Sequence, residues 1–253
     1  MAKENNINGI LQPSRRHVRV KFGGEIIADS KRMMLMRESQ YELHYYFPEE
    51  DVRMDLLIPT EHTTHSGYKG DTAHWTVKVG DQTAENAAWT YPDVKEGRPD
   101  LSGYITFEWD AMDAWYEEDE EVFLHPRDPY HRVDTIKSSR HVRVEIDGVT
   151  VAETTRPYLL FETNTRIRYY IPQEDVRMDL LTPTDTVTIC PYKGFSSYWS
   201  AHINGATHED IAWGYPDPFS EIPKIKGTIS FYNEKVNIYV DGELEEKPRA
   251  VLA

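Results

Sequence analysis

Glu50-Asp51-Val52-Arg53-Met54-Asp55-Leu56-Leu57 returns without a change as Glu174-Asp175-Val176-Arg177-Met178-Asp179-Leu180-Leu181, an offset of 174 − 50 = 124 residues. The same offset relates Arg16-His17-Val18-Arg19-Val20 to Arg140-His141-Val142-Arg143-Val144, and Tyr68-Lys69-Gly70 to Tyr192-Lys193-Gly194. It also relates Trp75 to Trp199, Trp89-Thr90-Tyr91-Pro92-Asp93 to Trp213-Gly214-Tyr215-Pro216-Asp217, and the Gly103 segment to the Gly227 segment. No gap is needed between residues 16 and 121. A fixed period of this kind marks an internal duplication, so two domains of one fold are expected.

The periodicity inside each copy is that of strands. Val18-Arg19-Val20-Lys21-Phe22 alternates apolar and polar residues and runs into Gly23-Gly24, and its counterpart turns at Asp147-Gly148. Such dipeptides suit the positive φ angles of a tight hairpin, and Asn204-Gly205 predicts another. Leu43–Phe47 and Ile167–Ile171 are aromatic, strand-like runs. Each ends at a proline, Pro48 or Pro172, followed by acidic residues, which is a helix-start signal; Pro59 and Pro183 limit that helix to about two turns. The expected fold is mainly β, α+β with little helix: two tandem copies of one small β-rich domain, each with one short helix. The boundaries read as a flexible arm over 1–13, a first repeat over 14–123, a proline-containing linker over 124–137, a second repeat over 138–245 and a tail over 246–253. The acidic run Glu117–Glu121 reads as a solvated face, and His125–Arg132 as a stiff, extended connector or as the lining of a cleft.

Composition narrows the function class. The 253 residues carry a formal net charge of −15, which argues against a phosphate backbone or an anionic membrane surface as partner. A single cysteine, Cys190, excludes an internal disulfide and a multi-cysteine zinc site, and points to a reducing compartment, hence a cytoplasmic location. No run is apolar enough to span a bilayer as a helix, and the polar start is unlike a signal peptide. Phosphate-cradling glycine loops, the nucleophile-elbow serine and the helical His-Glu-x-x-His pattern are all missing, so no cofactor is expected.

Several side chains invite a chemical reading. In Cys190-Pro191-Tyr192-Lys193-Gly194, proline and glycine punctuate a turn that places Tyr192 and Lys193 on a loop. A lysine there, among aromatic rings, can act as a base, an imine former or an anion clamp; the plainer alternative is an exposed turn lysine. Trp213 and Tyr215, like Trp89 and Tyr91, occupy alternate positions and so share one face of an extended segment, as pocket wall or as core. Glu162 and Glu38 follow apolar runs that favour a raised pKa and general acid/base work; the alternative is a strand-end surface glutamate. Lys193, Glu162 and Tyr215 form the expected catalytic trio, with Tyr192, Trp213, Trp199, Arg143 and Tyr170, and Lys69, Tyr91 and Trp89 of the first copy, as ligand-binding candidates. Cys190 reads as a buried, inert thiol. His62, His65 and His74 are weak metal candidates whose spacing matches no established motif, so no metal is expected.

The run from Cys190 to Gly194, with Tyr198-Trp199, Trp213-Gly214-Tyr215-Pro216 and Gly227–Tyr232, resembles the domain of unknown function 427 family. The resemblance takes in the hairpin at 140–153 and Glu162. It extends to the first copy with Ser66-Gly67 in place of Cys-Pro, and the linker is similar to that of tandem, two-domain members. It implies a small β-rich fold and little about function. A nucleotidyltransferase-like label goes with the family, but the Gly-Ser and paired aspartates of that chemistry are missing here. The expected function is a cofactor-independent enzyme of lyase, isomerase or cyclase type, acting on a small organic molecule by general acid/base chemistry in an aromatic-lined pocket. The alternatives are a non-catalytic small-molecule-binding module and a protein-interaction module.

Overall fold

The structure, a computed structural model, describes residues 9–38 and 43–247. The chain divides into two compact units, Met1–Asp128 and Pro129–Ala253. Each is mainly β and contains a seven-stranded and a four-stranded antiparallel sheet. In the second unit the large sheet runs, in spatial order, through Val133–Lys137, Tyr158–Glu162, Arg168–Pro172, Thr228–Phe231, Ala206–Gly214, Gly194–Ile203 and Leu181–Cys190. The first unit repeats this order from Ile10–Pro13 to Leu57–Pro59.

Hairpins form where the glycine dipeptides predict them. Asp147 and Gly148 have φ of 47° and 78°, Asn204 and Gly205 have 50° and 81°, and Gly23 and Gly24 have 60° and 82°. Positive φ at both central residues matches the strands' right-handed twist and fixes register. Alternation then sorts side chains by face. Val142, Val144 and Val151 of the small sheet meet Tyr169, Ile171, Ala212, Ile229 and Phe231 of the large one in the main core. The opposite face of the large sheet carries Leu160, Tyr170, Tyr198 and Trp213, covered by Tyr215, Ile222 and Ile225 from the segment that follows. The first unit has the equivalent main core, and its outer face carries Met36, Tyr46, Tyr91 and Leu101.

The invariant eight-residue block is structural. Its helical expectation is realised as two single 3₁₀ turns, Glu49–Asp51 and Met54–Leu56, and likewise Gln173–Asp175 and Met178–Leu180. The turns are separated because Val52 and Val176 are extended and bridge Ala28 and Ala152 of the small sheet. Arg53 and Arg177 donate their backbone N–H to Ile27 and Val151. Asp175 accepts from Thr154 at 2.7 Å and from Arg156 at 2.9 and 3.0 Å, and Asp51 does the same with Ser30 and Arg32. Sequence identity here preserves a corner between sheets.

Two boundary expectations are corrected. Ile10–Pro13, assigned to a flexible arm, is an edge strand paired with Met34–Arg37; residues 1–8 lie outside those described. Val133–Lys137, assigned to the linker, is the edge strand of the second large sheet, paired with Tyr158–Glu162, and Asp128 ion-pairs with Arg37 of the first unit. Part of the tail, 248–253, is also outside the described residues. The acidic run is not simply a solvated face, since Glu117 is buried and accepts hydrogen bonds from Tyr45 and Arg16.

Gly214 marks a tight approach of strands. A Cβ at this position would lie 2.6 Å from the carbonyl oxygen of Thr228. Gly214→Ala is expected to lower the unfolding free energy of the second unit by about 1–3 kcal/mol, read as a reduced urea midpoint.

Candidate functional site

The outer aromatic face of the second unit gathers most of the sequence-predicted residues. The strand Leu181–Cys190 turns through Pro191-Tyr192-Lys193 into Gly194–Ile203. Gly194 has a φ of 102°, and a Cβ there would sit 3.3 Å from the carbonyl oxygen of Asp217. Lys193 accepts a backbone hydrogen bond from Phe219 at 3.1 Å. Gly70 repeats this at φ 116° against Asp93, and Lys69 accepts from Lys95 at 3.1 Å. The Tyr-Lys-Gly and Tyr-Pro-Asp motifs therefore recur together because one loop clamps the other, and the clamp buries the lysine.

Lys193 is 8% exposed, which corrects the exposed-turn alternative. Its Nζ donates to Glu162 Oε2 at 2.6 Å, and Glu162 Oε1 is 3.0 Å from His131 Nε2. Tyr192 stacks on His131 with ring centroids 4.0 Å apart and planes 19° from parallel. Burial acts to raise the Glu162 carboxyl, but the Lys193 ammonium and the hydrogen bonds from Lys193 and His131 outweigh it, so Glu162 is held below the usual carboxylate range. The raised pKa expected of Glu162 is thereby corrected: at neutral pH it is an ionised acceptor with no proton to donate.

The phenols have the opposite character. Burial pushes the hydroxyls of Tyr170 and Tyr215 well above the ordinary tyrosine value, so both stay protonated and can donate. Trp213 Nε1 donates to Tyr170 Oη at 3.3 Å, and its ring packs 4.4 Å from that of Tyr232. Half-buried Cys190 packs against this cluster. Ser66, its counterpart, instead accepts the backbone N–H groups of Tyr68 and Lys69.

Two predicted ligand-binding residues are elsewhere. Trp199 pairs with Ala212 and packs against the main core, on the other face from Tyr198 and Trp213. Arg143 lies on the small sheet, paired with Glu145 and 4.3 Å from the Tyr239 ring centroid. In the first unit Lys69 donates to Glu38 and sits 4.6 Å from the centroid of Tyr91. Trp89 meets His44 edge-on and stacks on His74, each at 5.9 Å. His44 is held below the ordinary histidine value by burial and by the charge of Lys69.

His62 and His74 meet edge-on with ring centroids 4.7 Å apart, but the three histidines do not form one cluster. His74 Nδ1 donates to Asn86 O at 3.0 Å and its Nε2 accepts from Thr72 at 2.8 Å, while exposed His65 pairs with Asp71 at 2.5 Å. Among the described residues no group of three or more His, Cys, Asp and Glu side chains is arranged to hold a metal ion.

Sequence reasoning missed His131 and Arg168. His131 was assigned to the linker; its counterpart at the repeat offset is Ile7, outside the described residues. Arg168, whose counterpart is His44, lies 5.4 Å from the Trp213 centroid and pairs with Glu234 at 2.8 Å. The second difference is readable from the offset, as a position where the copies carry different chemistry; the first lies outside the 16–121 span of the repeat.

The family described as Domain of unknown function (DUF427) matches residues 10–118 and again residues 134–242. No curated protein matches the chain.

Proposed function

The chain belongs to the DUF427 family as a tandem two-domain member, and from that premise we propose that its second unit is a cofactor-independent enzyme moving a proton on a small organic molecule, in a lyase, isomerase or cyclase type of step. The observation that carries this reading is the pairing of buried Lys193 with ionised Glu162 beside the protonated phenols Tyr170 and Tyr215. Acid/base chemistry needs groups whose environments push their protonation states apart, and these are so arranged. In this reading the ionised carboxylate orients the proton-accepting group beside it, and the phenols donate to a substrate oxygen on which charge develops. Lys193 is counter-charge to Glu162 rather than a free base. The charge of −15 and the single cysteine support a small molecule, not nucleic acid, as partner and a reducing cytoplasm as setting. No helix among the described residues is long and apolar enough to cross a membrane.

The test is incubation of the full chain with an extract of small organic molecules, followed by untargeted mass spectrometry. The expected result is a compound converted to an isomer or to a product lighter by a small neutral fragment, with Tyr215→Phe slowing conversion about 10²-fold. Retention of a compound without conversion supports the binding-module alternative and overturns catalysis.

A further inference from the structure

We infer that His131, delivered from just after the boundary between the units, is the proton-transfer group of the second unit, with Glu162 as its positioning residue. This rests on the acid/base reading above and names the group that performs it.

The geometry is that of an oriented imidazole. Glu162 is ionised and can only accept, so the hydrogen on the 3.0 Å contact belongs to His131 Nε2. The neutral ring is therefore the Nε2-protonated tautomer, which leaves Nδ1 with its lone pair. Among the described residues Nδ1 has no hydrogen-bond partner. Tyr192 stacked on the ring, and Glu162 fixed from its other side by Lys193 at 2.6 Å, hold the imidazole's orientation. A buried carboxylate that sets tautomer and offsets imidazolium charge makes an imidazole an effective base. Among the described residues, the ring contacts Glu162 and Tyr192, and Lys193 stands behind Glu162.

The step balances without a co-reactant. Nδ1 takes a proton from a carbon or hydroxyl of the bound molecule, and the bonding pair stays on that molecule, spread towards an oxygen. The imidazolium then returns the proton to a neighbouring atom or to the leaving group, which regenerates the neutral ring. The His131 side chain is 20% exposed, so the ring is reachable from solvent while its carboxylate partner stays sheltered. The first unit retains Lys69 and Glu38 but has Ile7 at the matching position, so this step is assigned to the second unit alone.

The test has two arms. Nitrogen-15 NMR of the histidine-labelled full chain reads the tautomer directly, whether or not a substrate is known. The expected neutral form of His131 carries its proton on Nε2, and Glu162→Gln mixes the tautomers because an amide donates as well as accepts. A neutral His131 protonated on Nδ1 in the wild-type chain overturns the assignment. Once a converted compound is found, His131→Gln is expected to slow conversion by about 10²–10⁴-fold while binding changes only a few-fold. Added imidazole is expected to restore part of the rate to His131→Ala. Wild-type conversion by His131→Gln overturns the assignment and leaves the acid/base reading standing; failure to find any converted compound counts against that reading, and the tautomer then decides the geometry alone.

Discussion

Lys193→Met is expected to cost the second unit about 3–5 kcal/mol of stability, and adding Glu162→Gln is expected to recover most of it. The single change leaves an ionised carboxylate, 14% exposed at its side chain, without the ammonium that stands 2.6 Å away. Removing one partner of a buried pair strands the other charge, whereas neutralising both removes most of that penalty. The amide introduced by Glu162→Gln retains a carbonyl that can accept from His131 Nε2, so the histidine contact survives in the double variant. A double-mutant cycle by urea unfolding reads the coupling, and additive effects of the two single changes would refute the pairing. The pH dependence has a definite sign. Because the folded-state pKa of Glu162 lies below its unfolded value, this stabilisation is fully present above the unfolded carboxylate value and is lost as pH falls through the depressed one.

Trp213→Ala is expected to be as costly, about 3–5 kcal/mol, and to dismantle the face on which the site is built. The ring is buried, packs 4.4 Å from Tyr232, meets Tyr170 edge-on at 6.4 Å, and is the donor to Tyr170 Oη. Truncation leaves a cavity and a buried hydroxyl without that donor. Trp213→Phe keeps most of the volume and loses the hydrogen bond, so its cost is expected near ~1 kcal/mol. Near-ultraviolet circular dichroism and a urea midpoint for both variants check the pair; equal costs would mean that the indole N–H, not the ring's bulk, dominates.

How much of this was legible in the sequence follows from which contacts are local. The duplication, the hairpins at Asp147-Gly148 and Asn204-Gly205, and the shared face of Trp213 and Tyr215 depend on spacing and on residues next to one another, and all were readable. The block at 174–181 was read as a helix start because Pro172 and its acidic followers satisfy the local rule. A bridge from Val176 to Ala152, an offset of 176 − 152 = 24 residues, overrides it. The burial of Lys193 was likewise invisible, since it depends on the segment around Asp217 and Phe219 closing over the Tyr192-Lys193-Gly194 turn. Trp199 was misplaced for a simpler reason. It adjoins Tyr198, and consecutive residues of a strand face opposite sides. His131 was hidden because two nearby prolines made its surroundings look like a connector, when the strand that follows, Val133–Lys137, places it against Glu162.

The most direct test of the central claim, that the Lys193–Glu162 face of the second unit handles protons on a bound small molecule, is hydrogen exchange into substrate. The wild-type chain and the Lys193→Met/Glu162→Gln double variant, matched for stability, are incubated with a small-molecule extract in deuterium oxide and the compounds are weighed by mass spectrometry. A compound that gains a single deuterium with the wild-type chain, and gains it far more slowly with the double variant, in which no carboxylate orients His131, is the predicted result. Identical deuterium patterns from the two proteins would contradict it.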